Sequence, residues 1–233
     1  MAHATNYLRR RGEIETYFDR TAVKAWERLT STAPVGRIRA SVRAGRDSMR
    51  DTLLGWLPAD MHGLRLLDAG CGTGALAVEA ARRGAQVVAI DLSPTLVGIA
   101  QDRLPADLAD RIQFRAGDML DPALGRFDHV VGMDSLIHYD AADAVRALAG
   151  LAARTERSLL FTFAPGTPLL VTMRAVGRLF PKGDRAPWIV PVAPKALLRR
   201  VADDPALAGF APARSQRVAS GFYTSQALEL ARS

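Results

Sequence analysis

The chain has 233 residues and a mass of 25.1 kDa, with 48% apolar and 24% charged residues, a balance that buries a sizeable core and excludes wholesale disorder. A single cysteine, Cys71, excludes an internal disulfide framework and a cysteine-based zinc cluster, and no apolar run approaches the ~20 residues that span a bilayer. The net charge of +7 is uneven: residues 61–153 carry 8 Lys/Arg against 12 Asp/Glu, whereas residues 1–60 carry 11 against 7 and residues 154–217 carry 11 against 4. Basic flanks fit a nucleic acid, an anionic membrane or an acidic small molecule, and fit equally an arginine-rich composition with no partner behind it. The basic N-terminus lacks the apolar stretch of a signal peptide, so a cytoplasmic protein is expected, built as one α/β domain with extra helices.

Residues 11–30 read as an amphipathic helix, with Ile14, Tyr17, Phe18, Ala22, Ala25, Trp26 and Leu29 on one face. A second helical pattern runs through Val35, Ile38, Val42, Met49, Leu53 and Trp56 and is stopped by Pro58 and Gly63. No strand precedes either, so residues 1–60 read as an N-terminal helical arm or cap on a domain over 61–233. From Leu64 onward, short apolar runs alternate with helix-length stretches: LRLLDAG then 75–83, QVVAID then 94–104, RIQFRAGD, FDHVVGMD then 141–153, and RSLLFTFA. Apolar runs bounded by glycine or aspartate suit strands buried on both faces, and the alternation predicts a doubly wound, mostly parallel, seven-stranded Rossmann-like sheet. Residues 209–218 and 221–230 are spaced for an antiparallel pair at its edge.

Residues 165–194 interrupt the alternation. Prolines stand at 165, 168, 181, 187 and 191, and a helical piece carries Leu169, Leu170, Met173, Val176 and Phe180 beside Arg174, Arg178, Lys182 and Arg185. Apolar residues interleaved with cations suit a substrate lid, or a helix packed on the sheet edge.

The chemistry concentrates where the first strand ends. Asp68-Ala69-Gly70-Cys71-Gly72-Thr73-Gly74 is a tight loop whose glycines let the backbone approach a ligand at a helix N-terminus. Dinucleotide enzymes use G-x-G-x-x-G. The spacing here, an acidic residue then G-x-G-x-G, resembles motif I of class I S-adenosylmethionine methyltransferases, and that resemblance puts Asp68 near the cofactor's ammonium. Asp91, followed by Leu92, ends the second strand where a carboxylate can accept from ribose hydroxyls. Gly117-Asp118-Met119 after the third strand resembles the methyltransferase motif whose Asp holds the adenine amino group. Each Asp alone is also what a helix cap or turn would use. Cys71 has no implied base beside it and reads as a packing residue. After the fourth strand, Met133-Asp134-Ser135-Leu136-Ile137-His138-Tyr139 lies at the carboxyl end of the sheet, where α/β ligands bind, which makes Asp134, His138 and Tyr139 candidates.

The chain as a whole resembles the magnesium protoporphyrin IX O-methyltransferase family of chlorophyll and bacteriochlorophyll synthesis. The resemblance rests on Tyr17-Phe18-Asp19 ahead of Trp26, VRAGRDSMRDTLLGWL (42–57), residues 67–74, DSLIHY (134–139), and the segment from Phe163-Ala164-Pro165 through Phe180-Pro181. It implies methyl transfer from S-adenosylmethionine to a porphyrin propionate, with Tyr17 of a mobile arm and His138 as the catalytic residues. Cofactor contacts follow at Asp68, Gly70, Cys71, Gly72, Gly74, Asp91, Leu92, Asp118, Met119 and Asp134, with Tyr139, Arg174 and Arg178 toward the substrate. Magnesium belongs to the substrate, so no protein metal site is implied. The resemblance also implies contact with the porphyrin-binding subunit of magnesium chelatase, and the basic apolar flanks suit peripheral contact with an anionic surface such as the photosynthetic membrane. Asp19 is a departure: plant and cyanobacterial relatives often have Asn there, and the sequence assigns it no role.

Three other readings compete. A methyltransferase of a quinone precursor would share motif I but not the arm or DSLIHY. An RNA-binding methyltransferase would suit the pI near 10.3, but aromatic residues are only 6% and no basic run is interleaved with them, which argues against a nucleic-acid partner. A binding scaffold without catalysis would have little use for His138.

Overall fold

A computed structural model describes residues 2–21, 27, 29–31, 34–166 and 189–233. Helix α1 (Ala2–Thr16) runs into a π turn (Tyr17–Thr21), and α2 (Arg37–Trp56) follows. The alternating part is β1 (Arg65–Ala69), α3 (Ala75–Arg82), β2 (Gln86–Asp91), α4 (Pro94–Asp102), β3 (Ile112–Ala116), β4 (Phe127–Gly132), α5 (Ala141–Ala152) and β5 (Thr155–Phe163). Helix α6 (Pro194–Asp203), β6 (Phe210–Ser220) and β7 (Tyr223–Arg232) complete the chain.

The seven strands lie in the order β3-β2-β1-β4-β5-β7-β6, the first five parallel and β7 antiparallel to both its neighbours. The order reverses between β1 and β4, so the loops after these two strands diverge and leave a crevice at their carboxyl ends. Alternate side chains enter opposite layers, as a period of two requires. Leu67, Val130, Leu159 and Phe161 pack against α5 and α6, while Leu66, Val131 and Leu160 pack against α2 and α3.

Two expectations are revised. The helix expected over 11–30 begins at Ala2 and gives way at Tyr17 to the π turn, the kind of local widening common where side chains are aimed at a site. Ala22, Ala25 and Trp26 lie outside the described residues. The boundary near residue 60 is not a break in packing. Met49 and Leu53 on α2 are fully buried in one layer with Leu66, Val131 and Tyr223, and each such side chain contributes about 1.5–3 kcal/mol of burial. Helix α2 therefore packs into the sheet's layer, while Ile14, Tyr17 and Phe18 of the described residues before it line the crevice together with Val42 and Arg46 of α2. Helix α6 adds an element between the candidate lid and the edge strands, opened by Pro194 at its first turn.

Most of the candidate lid, residues 167–188 with Arg174, Arg178 and the apolar residues beside them, lies outside the described residues. No described helix is long and apolar enough to cross a membrane, and among the described residues no group of His, Cys, Asp and Glu is arranged to hold a metal ion.

Candidate active site

Two adjoining clefts open at the carboxyl ends of β1, β2 and β4. One, of about 370 Å³, lies beneath Ile14, Tyr17 and Phe18 of the arm; the other, of about 450 Å³, runs along α2 past Asp68. They meet at Gly70, Gly72, Arg46 and Met133.

The loop after β1 forms the floor. Gly70 (φ 89°) turns the chain beside the loop after β4, so closely that a Cβ there would lie 2.5 Å from Ser135 Cβ. The Gly72 amide donates to Asp91 Oδ2 (2.8 Å) and the Ser93 amide to Asp91 Oδ1 (3.0 Å), which ties the ends of β1 and β2 together and leaves each oxygen a lone pair for a ribose hydroxyl. Asp68 is 1% exposed, and its Oδ2 has no hydrogen-bond partner among the described residues. Burial, then the charge of Asp91, pushes its carboxyl up to about 7. A buried, half-neutral carboxyl at the cleft wall is what an ammonium group would restore to the ionised form. Burial first, then Asp68 and Asp91, pushes the Cys71 thiol well up, so it remains a protonated packing group. Leu92 and Met119 line the first cleft with Ile90 as an apolar slot, and Asp118 stands beside them. These residues fit an adenosyl-sulfonium cofactor: an apolar slot, an acceptor for vicinal hydroxyls, and a carboxyl for the ammonium.

The arm covers this floor through contacts that the sequence did not reveal. Arg11 pairs with Asp118 Oδ2 at 2.8 Å, while the Leu120 amide donates to Asp118 Oδ1. Asp19, left without a role by the sequence, accepts from Ser93 Oγ (3.1 Å), from Thr95 Oγ1 (2.5 Å) and from the Thr95 amide (3.2 Å). It thereby adds a second cap to α4, whose positive end favours a carboxylate. Asp19→Ala is expected to remove about 1 kcal/mol of arm docking, roughly fivefold in the docked population. Limited trypsin cleavage at Arg9–Arg11 should quicken by that factor, and Asp19→Asn, which keeps an acceptor oxygen, should restore most of the protection.

Tyr17 and His138 come together through Phe18. The Tyr17 and Phe18 rings meet edge-on with centroids 5.1 Å apart, and Phe18 lies 6.0 Å from the His138 ring. His138 is 6% exposed, and burial raises the Tyr17 phenol above its ordinary range. Tyr139 is buried against the same cleft.

Asp134, expected among the cofactor contacts, is the hub of an ion-pair network. Its carboxylate pairs with Arg46 (2.7 Å) and accepts from Tyr223 (3.1 and 3.2 Å), Thr162 (3.1 Å) and Ser225 (3.4 Å). Its φ of 55° is strained for a side-chain-bearing residue, tolerable for Asp, and is fixed by those partners together with the bond from its own amide to Thr162 Oγ1 (2.7 Å). Burial and Asp134 hold the Tyr223 phenol protonated far above its ordinary range, so it remains a donor. These bonds tie Asp134 to the strand ends beside it and hold Arg46 at the junction of the two clefts.

The family described as magnesium-protoporphyrin IX methyltransferase C-terminus matches residues 132–232, and a general methyltransferase domain family matches residues 66–157. The chain is 49% identical to a magnesium-protoporphyrin O-methyltransferase of Rhodobacter capsulatus over 97% of this chain and 98% of that one. It is 33% identical to the Synechocystis enzyme of the same name, over 94% and 95%. The crystal structure of magnesium protoporphyrin IX methyltransferase from Synechocystis PCC 6803 with bound SAH superposes with a TM-score of 0.83 at 30% identity, covering 95% of this chain and 99% of that chain. The sheet order, the acidic glycine loop and this likeness along nearly the whole length together make the chain a member of the magnesium-protoporphyrin O-methyltransferase family, with the class I methyltransferase fold.

Proposed function

We propose that the protein transfers the methyl group of S-adenosylmethionine to a propionate carboxylate of magnesium protoporphyrin IX, yielding the monomethyl ester and S-adenosylhomocysteine in chlorophyll or bacteriochlorophyll synthesis. The observation that carries this reading is the closed contact from Tyr17 through Phe18 to His138 above a floor bearing Asp68, Asp91 and Asp118. Membership of the family supplies the acceptor.

When bound, S-adenosylmethionine supplies a methyl group on a sulfonium centre. Asp68 would hold its ammonium, Asp91 its ribose hydroxyls and Asp118 its adenine amino group, with Leu92 and Met119 supplying the apolar lining. A propionate is ionised at neutral pH, so the protein need not create the nucleophile. Its task is to aim one carboxylate oxygen along the line of transfer and to strip water from it. His138 donates a hydrogen bond to the oxygen that does not attack, which orients the group without blunting the reacting lone pair. Tyr17 and Phe18 close the arm over it.

The segment before α2 serves as cover and residues 165–194, with Arg174 and Arg178, as a lid that offers cations to the propionates. The exposed Arg37 and Arg39 at the start of α2 support peripheral contact with an anionic membrane surface, and the acceptor's origin supports hand-over from the porphyrin-binding subunit of magnesium chelatase.

Purified protein incubated with S-adenosylmethionine and magnesium protoporphyrin IX, followed by chromatography and mass analysis, should give a product heavier by one methyl. Cofactor binding with no ester under these conditions would overturn the acceptor assignment and point to a quinone-type substrate.

A further inference from the structure

We propose that Phe222, at the tip of the β6–β7 hairpin, is the wall on which the acceptor's macrocycle stacks, so that this hairpin governs acceptor selection. The inference rests on the function proposed above and adds a recognition element distant in sequence from the cofactor motifs.

Among the described residues only three large hydrophobic side chains are strongly exposed: Phe222 (67%), Ile38 (59%) and Ile189 (46%). Two of them, Phe222 and Ile189, line the first cleft. Exposed large apolar groups gathered at one concavity mark a binding surface.

Both are held to the loop that carries His138. Phe222 is followed by Tyr223, whose hydroxyl bonds to Asp134, and Ile189 is followed by Val190, whose amide donates to the Ile137 carbonyl at 2.8 Å. The hairpin is fixed on its other side as well. Ser220 pairs with Tyr223, leaving a two-residue loop in which Gly221 takes φ 54° as the first central residue, the requirement of a type II′ turn. Gly221 is pressed against α2 so tightly that a Cβ would lie 2.5 Å from Ser41 Oγ, and a Cβ at Gly45 on the same helix would lie 2.5 Å from the Tyr223 ring. The backbone on either side of Phe222 is thus locked while its ring is left in solvent. A rigid exposed aromatic ring contributes a large contact area at little entropic cost. A broad flat ring with carboxylates at one edge matches this geometry: the ring rests between Phe222 and Ile189, and the carboxylate edge reaches inward to His138.

The test is a fluorescence titration of magnesium protoporphyrin IX into protein saturated with S-adenosylhomocysteine, paired with a calorimetric measurement of S-adenosylhomocysteine affinity. Phe222→Ala should weaken porphyrin binding roughly tenfold, as loss of a stacked aromatic does, and leave the nucleoside affinity within about twofold. Phe222→Trp should retain porphyrin affinity, and Phe222→Leu should fall between. The retained nucleoside affinity reports that each variant is folded. Equal porphyrin affinity in wild type and Phe222→Ala overturns the assignment. Should that variant then lose binding to phosphatidylglycerol vesicles, the hairpin tip belongs to a membrane contact. Wild-type protein that binds no porphyrin removes the function reading and the stacking role together, whereas wild-type binding that Phe222→Ala leaves intact removes the stacking role alone.

Discussion

His138→Ala is expected to lower kcat by about 10²-fold while leaving S-adenosylmethionine affinity unchanged, because in the proposed mechanism the imidazole bonds to the acceptor's carboxylate and belongs to no cofactor motif. Attack of a carboxylate on a sulfonium-bound methyl consumes both charges, so the transition state is less polar than the reactants and gains from a dry site. The 6% exposure of His138 beneath Phe18 fits that need. A strong donor to the attacking oxygen would stabilise the reactant more than the transition state and slow the step. A donor to the other oxygen fixes the angle of attack at little such cost. His138→Gln separates orientation from proton transfer, since its amide N–H can donate but cannot take up a proton. Recovery of a large part of kcat in the Gln variant, with a flat pH profile, is the expected result. A Gln variant as poor as Ala would mean that the propionate enters as the acid and that His138 removes its proton. Unchanged turnover in His138→Ala would remove the residue from the mechanism.

The contrast between what could and could not be read in the chain has a physical pattern. The strands are legible because runs such as QVVAID are buried on both faces and end in a residue that turns the chain, and the glycine loop is legible because φ 89° favours glycine at Gly70, where a Cβ would lie 2.5 Å from Ser135 Cβ. Helix α6 is signalled only weakly, by Pro194 at its first turn and by Leu197, Leu198 and Val201 at helical spacing directly after a proline-rich stretch. The start of α1 carries no such signal, since AHATNYLRR has no apolar periodicity. The tertiary ties were beyond reach for a different reason. Arg46 and Asp134 are 88 residues apart, Asp19 and Thr95 76 apart, and Arg11 and Asp118 107 apart, and nothing local in either partner names the other. Phe222 is one aromatic among many until the hairpin that displays it is built.

Asp68→Asn is expected to weaken S-adenosylmethionine by 10²-fold or thereabouts, the cost of leaving a desolvated ammonium without its carboxylate partner, and to abolish a pH dependence that wild type should show. The sign follows from the carboxyl's shift up to about 7. Below that pH the group holds a proton in the free protein, whereas the ammonium of the bound ligand requires it ionised. Binding then releases a proton, so affinity should rise with pH and level off above 7; at pH 6 it should be roughly tenfold below the plateau. Above about 8 the ligand's own amine loses its charge and affinity should fall again, which gives a narrow maximum. Calorimetry in buffers of different ionisation enthalpy would count the released proton directly. The same raised carboxyl acts in the opposite direction on folding of the ligand-free protein. The folded chain binds this proton more tightly than the unfolded one, so stability is fully present below about pH 4 and declines as pH rises toward 7. Ligand affinity and apoprotein stability should therefore trend oppositely between pH 5 and 7, and both trends should vanish in Asp68→Asn. An affinity independent of pH in wild type would mean that another group receives the ammonium and that Asp68 serves only the packing of the loop.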